Sequence, residues 1–296
     1  MSKHLIQNET FVRKVDTPEG TAVIINKFKD LNLEVNIYEM KKGNNFFLNP
    51  PKNSGAIKTY WLLSGEIDCR NARKHCFPGD MIVLKTGDDV YQVTAVEETK
   101  ILVHSLNDNS FDQTEENFRY IYSILKQIQD KDAYTYDHSN NVYNWVRKMA
   151  VALEYDGQRY FDIMMASKYH DVGKIFIPDE ILNKPSGLTQ DEYTVMKTHV
   201  LKAEDLLCQF FDRKVFEIAI LHHERIDGSG YPKGLKGEEI SQEGRILAIC
   251  DSYDAMTSDR VYKVGKSKEK AIIELRALAG TLYDPELVET FIKIIE

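Results

Sequence analysis

The side chains best suited to chemistry in this sequence are its histidines, and they are unevenly placed. Five of the eight, His138, His170, His199, His222 and His223, lie within one 86-residue stretch; His4, His75 and His104 are scattered. His170 stands beside Asp171, and His222 beside His223. Neighbours on a helix point about 100° apart, so one tetrahedral ion cannot easily take both. A carboxylate next to a histidine can instead bridge two ions, with the histidine terminal to one, and paired histidines can serve two ions. Imidazole with carboxylate suits a transition metal, iron or manganese rather than calcium or magnesium. Asp251, inside the apolar segment RILAICDSYDAM, adds a carboxylate, and helices carrying such groups inward can build a dinuclear site in a bundle core. The plain alternative is a set of hydrogen-bonded core histidines, with Asp251 as a cap or ion-pair partner. Against it, five histidines and two aspartates on apolar helical faces are costly to bury without a shared partner.

The elements that must position these groups are helical. FDIMMASKY leads into His170. Thr189 and Glu192 form a capping-box pattern ahead of a helix carrying Tyr193, Met196 and His199. Asp284-Pro285-Glu286 sets an N-cap before a first-turn proline. Upstream, Ser110 with Gln113 forms another cap pattern, and Phe118, Ile121, Tyr122, Leu125 and Ile128 give one apolar helical face. Residues 1–106 have a different period. VNIYEM (35–40), KTYWLLSG (58–65), DMIVLK (80–85) and ILVHSL (101–106) read as short strands, with Ser64-Gly65 and Pro78-Gly79-Asp80 as turns. Close-set strands predict a small barrel or two-sheet roll. The chain is therefore expected to be α+β with two domains: a small β-barrel over 1–106, a linker and first helix over 107–133, and an all-α helical bundle over 134–296.

Composition narrows the function classes. Of 296 residues, 43% are hydrophobic and 28% charged, an ordinary globular balance. With 38 Lys plus Arg against 46 Asp plus Glu, the net charge is −8, a poor match for a nucleic-acid polymer or an anionic membrane. No run of about 18 apolar residues predicts a transmembrane helix. MSKHLIQNETFVRKVD lacks the apolar core of a secretion signal. Cys69, Cys76, Cys208 and Cys250 include no CxxC pair, and a reduced cytoplasmic location is expected.

Several long strings occur in one order: YTYDHS (134–139), HDVGKIFIPDEILNKPSGLT (170–189), MKTH (196–199), HHERIDGSGYPKGLKGEEI (222–240) and RILAICDSYDAMTSDRVYK (245–263). On these strings the chain resembles the HD-GYP phosphodiesterases, a branch of the HD-domain metallohydrolases, over about residues 115–296. The resemblance implies hydrolysis of cyclic di-GMP, to linear pGpG, GMP or both, at a dinuclear centre of iron or manganese. It implies His138, His170, Asp171, His199, His222, His223 and Asp251 as metal ligands, with Asp171 bridging. It places Lys174 near the attacked phosphate, Arg260 and Lys263 on substrate phosphates, and Tyr231 against a guanine. Some members hold a third metal through a Glu one turn before the first His; Tyr134 stands there in this chain, so two metals are expected. Another cyclic dinucleotide such as cyclic GMP-AMP, or cyclic di-GMP binding without turnover, are the alternatives.

YWLLSGEIDC…FPGDMIVLKTGDDVYQV is similar to half of a cupin barrel, over about residues 30–105. The His-x-His of that family is missing: the chain reads Asn53-Ser54-Gly55-Ala56 or Lys58-Thr59-Tyr60 there. A sensory or dimerising barrel without cupin metal chemistry is expected, in a homodimer joined through the apolar face at 118–128.

Overall fold

Two-residue alternation builds the first half of the chain. The computed structural model describes residues 11–17, 20–29, 33–70, 73–108, 133–259 and 265–296, with Ile124, Gln127, Asp130 and Lys131 between them. The strands are β1 Phe11–Thr17, β2 Gly20–Lys29, β3 Leu33–Met40, β4 Asn45–Leu48, β5 Ile57–Ser64, β6 Ile67–Cys69, β7 Lys74–Cys76, β8 Met81–Lys85, β9 Tyr91–Ala95 and β10 Thr99–Leu106. They form an antiparallel six-stranded sheet, ordered β1-β2-β3-β10-β5-β8, and a four-stranded sheet, ordered β4-β9-β6-β7. Along β10, Thr99, Ile101, Val103 and Ser105 are buried and the residues between them are not, as a strand with one face on a core requires. Met40, Leu48, Leu62, Ile67, Val93, Ile101 and Val103, drawn from both sheets, make that core.

The four strands expected from sequence are β3, β5, β8 and β10. β6 and β7 have three residues each, too few for alternation to register. Cys69 and Cys76 sit on this β6–β7 hairpin as buried free thiols.

A 3.6-residue period governs the rest. The helices are α1 Ala133–Ala152, α2 Gly157–Tyr169, α3 Asp179–Leu182, α4 Gln190–Lys197, α5 His199–Lys202, α6 Glu204–Phe210, α7 Arg213–Ala219, α8 Gln242–Thr257, α9 Lys268–Leu278 and α10 Pro285–Ile295. On α1, Thr135, His138, Val142, Val146 and Met149 form one buried stripe, so His138 is carried inward by the spacing that buries its apolar neighbours. α8 is buried on nearly every side and packs on α1. Trp145 of α1 meets Tyr253 of α8 at 5.4 Å and Phe291 of α10 at 5.9 Å, both edge-on. α10 starts as expected: the Asp284 carboxylate accepts from the Glu286 and Leu287 amides ahead of Pro285.

The chain divides into two compact units. One comprises residues up to Phe118 with Asp156–Phe161, and the other Arg119–Tyr155 with Asp162–Glu296. The layout is α+β, a β unit and a helical unit. Phe118, Ile121, Tyr122, Leu125 and Ile128, and the Ser110–Gln113 pattern, lie outside the described residues. No helix among the described residues is long and apolar enough to cross a membrane.

Candidate metal centre

Each candidate group sits where a helix begins or ends, or on a buried helix face. His170 and Asp171 are not helical: α2 stops at Tyr169, and the pair occupies the turn before a short 3-10 turn, Val172–Phe176. Gly173 lets this turn close on α5. A Cβ there would lie 1.9 Å from the His199 carbonyl oxygen, so no other residue permits the approach. The expected single helix over Tyr193, Met196 and His199 is broken. α4 begins with the Thr189–Glu192 capping box and ends at Lys197. The Thr198 hydroxyl and amide both turn back to the Val195 carbonyl, and His199 opens α5. His222 and His223 follow α7 in a turn. His138 and Asp251 lie on α1 and α8.

Backbone carbonyls fix the histidine tautomers. Nδ1 of His170 lies 2.8 Å from the Ser167 carbonyl, that of His199 2.7 Å from Met196, and that of His222 2.6 Å from Ala219. A carbonyl only accepts, so each Nδ1 carries the proton and each Nε2 offers a lone pair. His138 differs: Nδ1 donates to Asp254 at 2.6 Å, and Nε2 faces Asp251 at 3.0 Å.

The candidate ligand atoms converge in two groups. Ligand atoms of His138, His170 and Asp171 lie within 4.8 Å of one another, as do those of His199, His222 and His223. Asp171 faces both. Its Oδ2 is 3.5 Å from His170 Nε2, while its Oδ1 is 3.2 Å from His199 Nε2 and 3.8 Å from His222 Nε2. His199 Nε2 is also 3.4 Å from His222 Nε2. With their protons on Nδ1, these are acceptors facing acceptors, an arrangement that repels unless a cation lies among them. Consistently, His170 Nε2 and Asp171 Oδ1 are buried and make no hydrogen bond. The residues present fit a pair of metal ions.

The charges tell the same story. Burial opposes ionisation of Asp171, but the Lys174 ammonium at 2.6 Å holds it well below the usual carboxylate range. Asp251 is likewise lowered, the His138 bond outweighing its burial. Burial disfavours a charged His138, yet the bonds to Asp251 and Asp254 bring it up to about 9. Burial pushes His222 down to about 3 and lowers His170 and His223, so these three are neutral at pH 7.

Tyr231 lies at the edge of this cluster, its ring stacked on His223 at 4.6 Å and 28°. Lys197 Nζ sits over the Tyr231 ring at 5.1 Å. Lys174 is paired with Asp171. Arg260 and Lys263 lie outside the described residues. So does the side chain of Tyr134, whose backbone is in α1. Two participants escaped the sequence reading. Asp254 follows Asp251 by three residues on a buried helix, a spacing that puts both on one face. Glu224 directly follows the His222-His223 pair, and its role appears only once the loop after it has folded.

A family model described as HD domain matches residues 123–287. A cyclic di-GMP phosphodiesterase of Thermotoga maritima is 38% identical over 206 residues, 68% of this chain and 55% of its own length. The 3'3'-cGAMP-specific phosphodiesterase 2 of Vibrio cholerae is 35% identical over 185 residues, 62% of this chain and 35% of its own. The chain spans about half or less of the length of such curated relatives. Among solved structures, an RmlC-like cupin of Shewanella frigidimarina aligns with 36% of this chain and 94% of its own at 10% identity and a TM-score of 0.29; the architecture of the β unit rests on its own strand pairing. An HD domain implies a divalent metal centre, and the converging ligand atoms fit one. With that match spanning more than half of its residues, the chain belongs to the HD-domain family.

Proposed function

We propose that this chain is a metal-dependent phosphodiesterase that hydrolyses cyclic di-GMP to linear pGpG, GMP or both. The observation that carries the reading is Asp171, one oxygen turned to each group of imidazole nitrogens. His138, His170 and Asp251 would hold one ion, and His199, His222 and His223 the other, with Asp171 shared. A bound pair of divalent ions, iron by preference and manganese second, supplies Lewis acidity to the phosphodiester and lowers the pKa of the attacking water. The protein supplies the rest. Asp171 and the carbonyl-locked imidazoles fix the positions at which charge is neutralised. Lys174, held at the Asp171 Oδ2 edge, stabilises negative charge developing on the phosphate. Arg260 and Lys263 would offset the charge of the substrate phosphates, with the arginine fork suited to two oxygens at once. The Tyr231 ring offers a guanine a stacking surface. In domain terms, a regulatory barrel over 1–106 and a linker and first helix over 107–133 precede a catalytic domain over 134–296, in a cytoplasmic homodimer joined through the 118–128 face.

Anaerobic purification, metal quantification and product chromatography test the reading. Two ions per chain and turnover of cyclic di-GMP are expected; metal without turnover would point to a binding module. The likeness to the Vibrio enzyme makes cyclic GMP-AMP the second substrate to assay.

Two expected results concern supporting residues. Asp254→Ala should weaken metal binding by roughly 10–100-fold, the usual range for loss of a partner that orients a ligating histidine; metal titration checks it, and Asp254→Asn, which keeps an acceptor for Nδ1, should recover much of the loss. Arg260→Ala and Lys263→Ala should each lower kcat/KM about ten- to a hundredfold with metal content intact, since a charge-assisted contact is worth about 1.5–3 kcal/mol. Loss of metal at unchanged substrate affinity would show that these side chains serve the centre and not the phosphates.

A further inference from the structure

Glu224 is buried, with 1% of its surface exposed, and a carboxylate so placed must be compensated. Here the compensation comes from the chain itself. Glu224 accepts from the Lys233 amide at 2.6 Å and from the Leu235 amide at 3.0 Å. Gly234, between the two donors, has φ +66°. A left-handed residue between two amides can turn both to one side and make a small anion cradle, and Glu224 is the anion in it.

The cradle closes a loop on the segment that carries His222 and His223. Upstream of it, the Tyr231 amide donates to the His223 carbonyl at 3.1 Å. Gly230 lies so close to the 223–225 backbone that a Cβ would fall 2.4 Å from the Arg225 nitrogen and 2.5 Å from the Glu224 Cα. Across the loop the backbones of Asp227 and Lys236 pair antiparallel. Tyr231 is thus pinned on one side by the His223 carbonyl and on the other by the amides that Glu224 holds, with its ring stacked on His223.

We propose that Glu224 is a positioning residue for substrate: its carboxylate folds loop 225–237 so that the Tyr231 ring stands beside the metal centre as a stacking platform for a nucleobase. The proposal rests on the phosphodiesterase reading above and adds a residue that touches neither ion nor substrate. Glu224→Ala leaves the Lys233 and Leu235 amides without their acceptor and frees the loop. Glu224→Gln keeps one acceptor and turns an amide donor toward the other N–H.

The test compares the two variants with the unaltered full chain for KM, kcat, metal per chain and the rate of tryptic cleavage after Lys233 and Lys236. Expected are metal content unchanged, kcat within about threefold, KM for cyclic di-GMP raised about 10–100-fold in Glu224→Ala and less in Glu224→Gln, and faster cleavage in the same order. An unchanged KM, or turnover lost in proportion to metal, overturns the proposal. If Glu224→Ala does not fold, Glu224→Gln carries the test; failure of both to yield folded protein also overturns it, because Glu224 would then serve the fold as a whole. If the unaltered chain turns over no cyclic dinucleotide, it is the phosphodiesterase reading that fails. The cleavage pattern, which needs no substrate, still judges the loop.

Discussion

Asp171→Ala is expected to abolish turnover, by at least about a thousandfold in kcat/KM, while the helices remain folded. Among the described residues Asp171 is the one side chain shown with an oxygen toward each group of imidazoles, so its loss separates what would be two coupled ions into two poorer sites. Both effects credited to paired ions, a clamped phosphodiester and an acidified water, depend on their sharing a ligand. The same substitution also removes the 2.6 Å ion pair between Asp171 and Lys174 at the edge of the candidate centre. Metal analysis, circular dichroism and turnover of one preparation check this. Full activity in a metal-depleted Asp171→Ala protein would end the bridging assignment.

Metal affinity is expected to rise steeply with pH, about a hundredfold between pH 6 and pH 8. In the metal-free protein His138 titrates at about 9 because two carboxylates hold its proton against the cost of burial. An ion takes neutral imidazole, so below that value binding must displace one proton, and affinity gains about tenfold per pH unit until His138 is neutral. His222, pushed to about 3, and His170 and His223, also lowered, have no proton to release in this window. Calorimetry in buffers of differing ionisation heat should count close to one proton released at pH 7. The metal-free fold responds with the opposite sign. A histidine raised from about 6.5 to about 9 stabilises it fully below pH 6.5, and that contribution is lost as pH rises through 9. An affinity flat from pH 6 to 8 would mean that Asp251 and Asp254 do not hold this proton.

The candidate ligands are more legible in the sequence than the geometry that brings them together. His138 and Asp251 are legible because apolar periodicity fixes which way a long helix faces. The Thr189 and Asp284 caps are legible because the N-terminus of a helix demands specific local chemistry. The break between α4 and α5 is not, since it depends on Thr198 folding back on Val195 and on Gly173 closing against the His199 carbonyl, a contact between segments far apart in sequence. Asp254 and Glu224 went unread for a related reason. A buried carboxylate gains its meaning from what it touches, and those partners, His138 and the 233–235 amides, are set by tertiary structure. In the β unit the eight-residue strands showed their alternation, while the three-residue hairpin arms did not.

The spacing of the candidate ligands along the chain has a mechanical meaning. From His138 to His170, Asp171 to His199, and His199 to His222, candidate ligands of one ion would close chain segments of roughly 20–30 residues, and the four cysteines form no disulfide. An ion gripping both ends of such a segment is a cross-link. By the loop-entropy relation used for disulfides, each such closure removes roughly 3–4 kcal/mol of freedom from the unfolded chain. The ions would then be fasteners of the helical unit as well as reagents, and a chelator should loosen the knot of the fold in the same step that silences the chemistry.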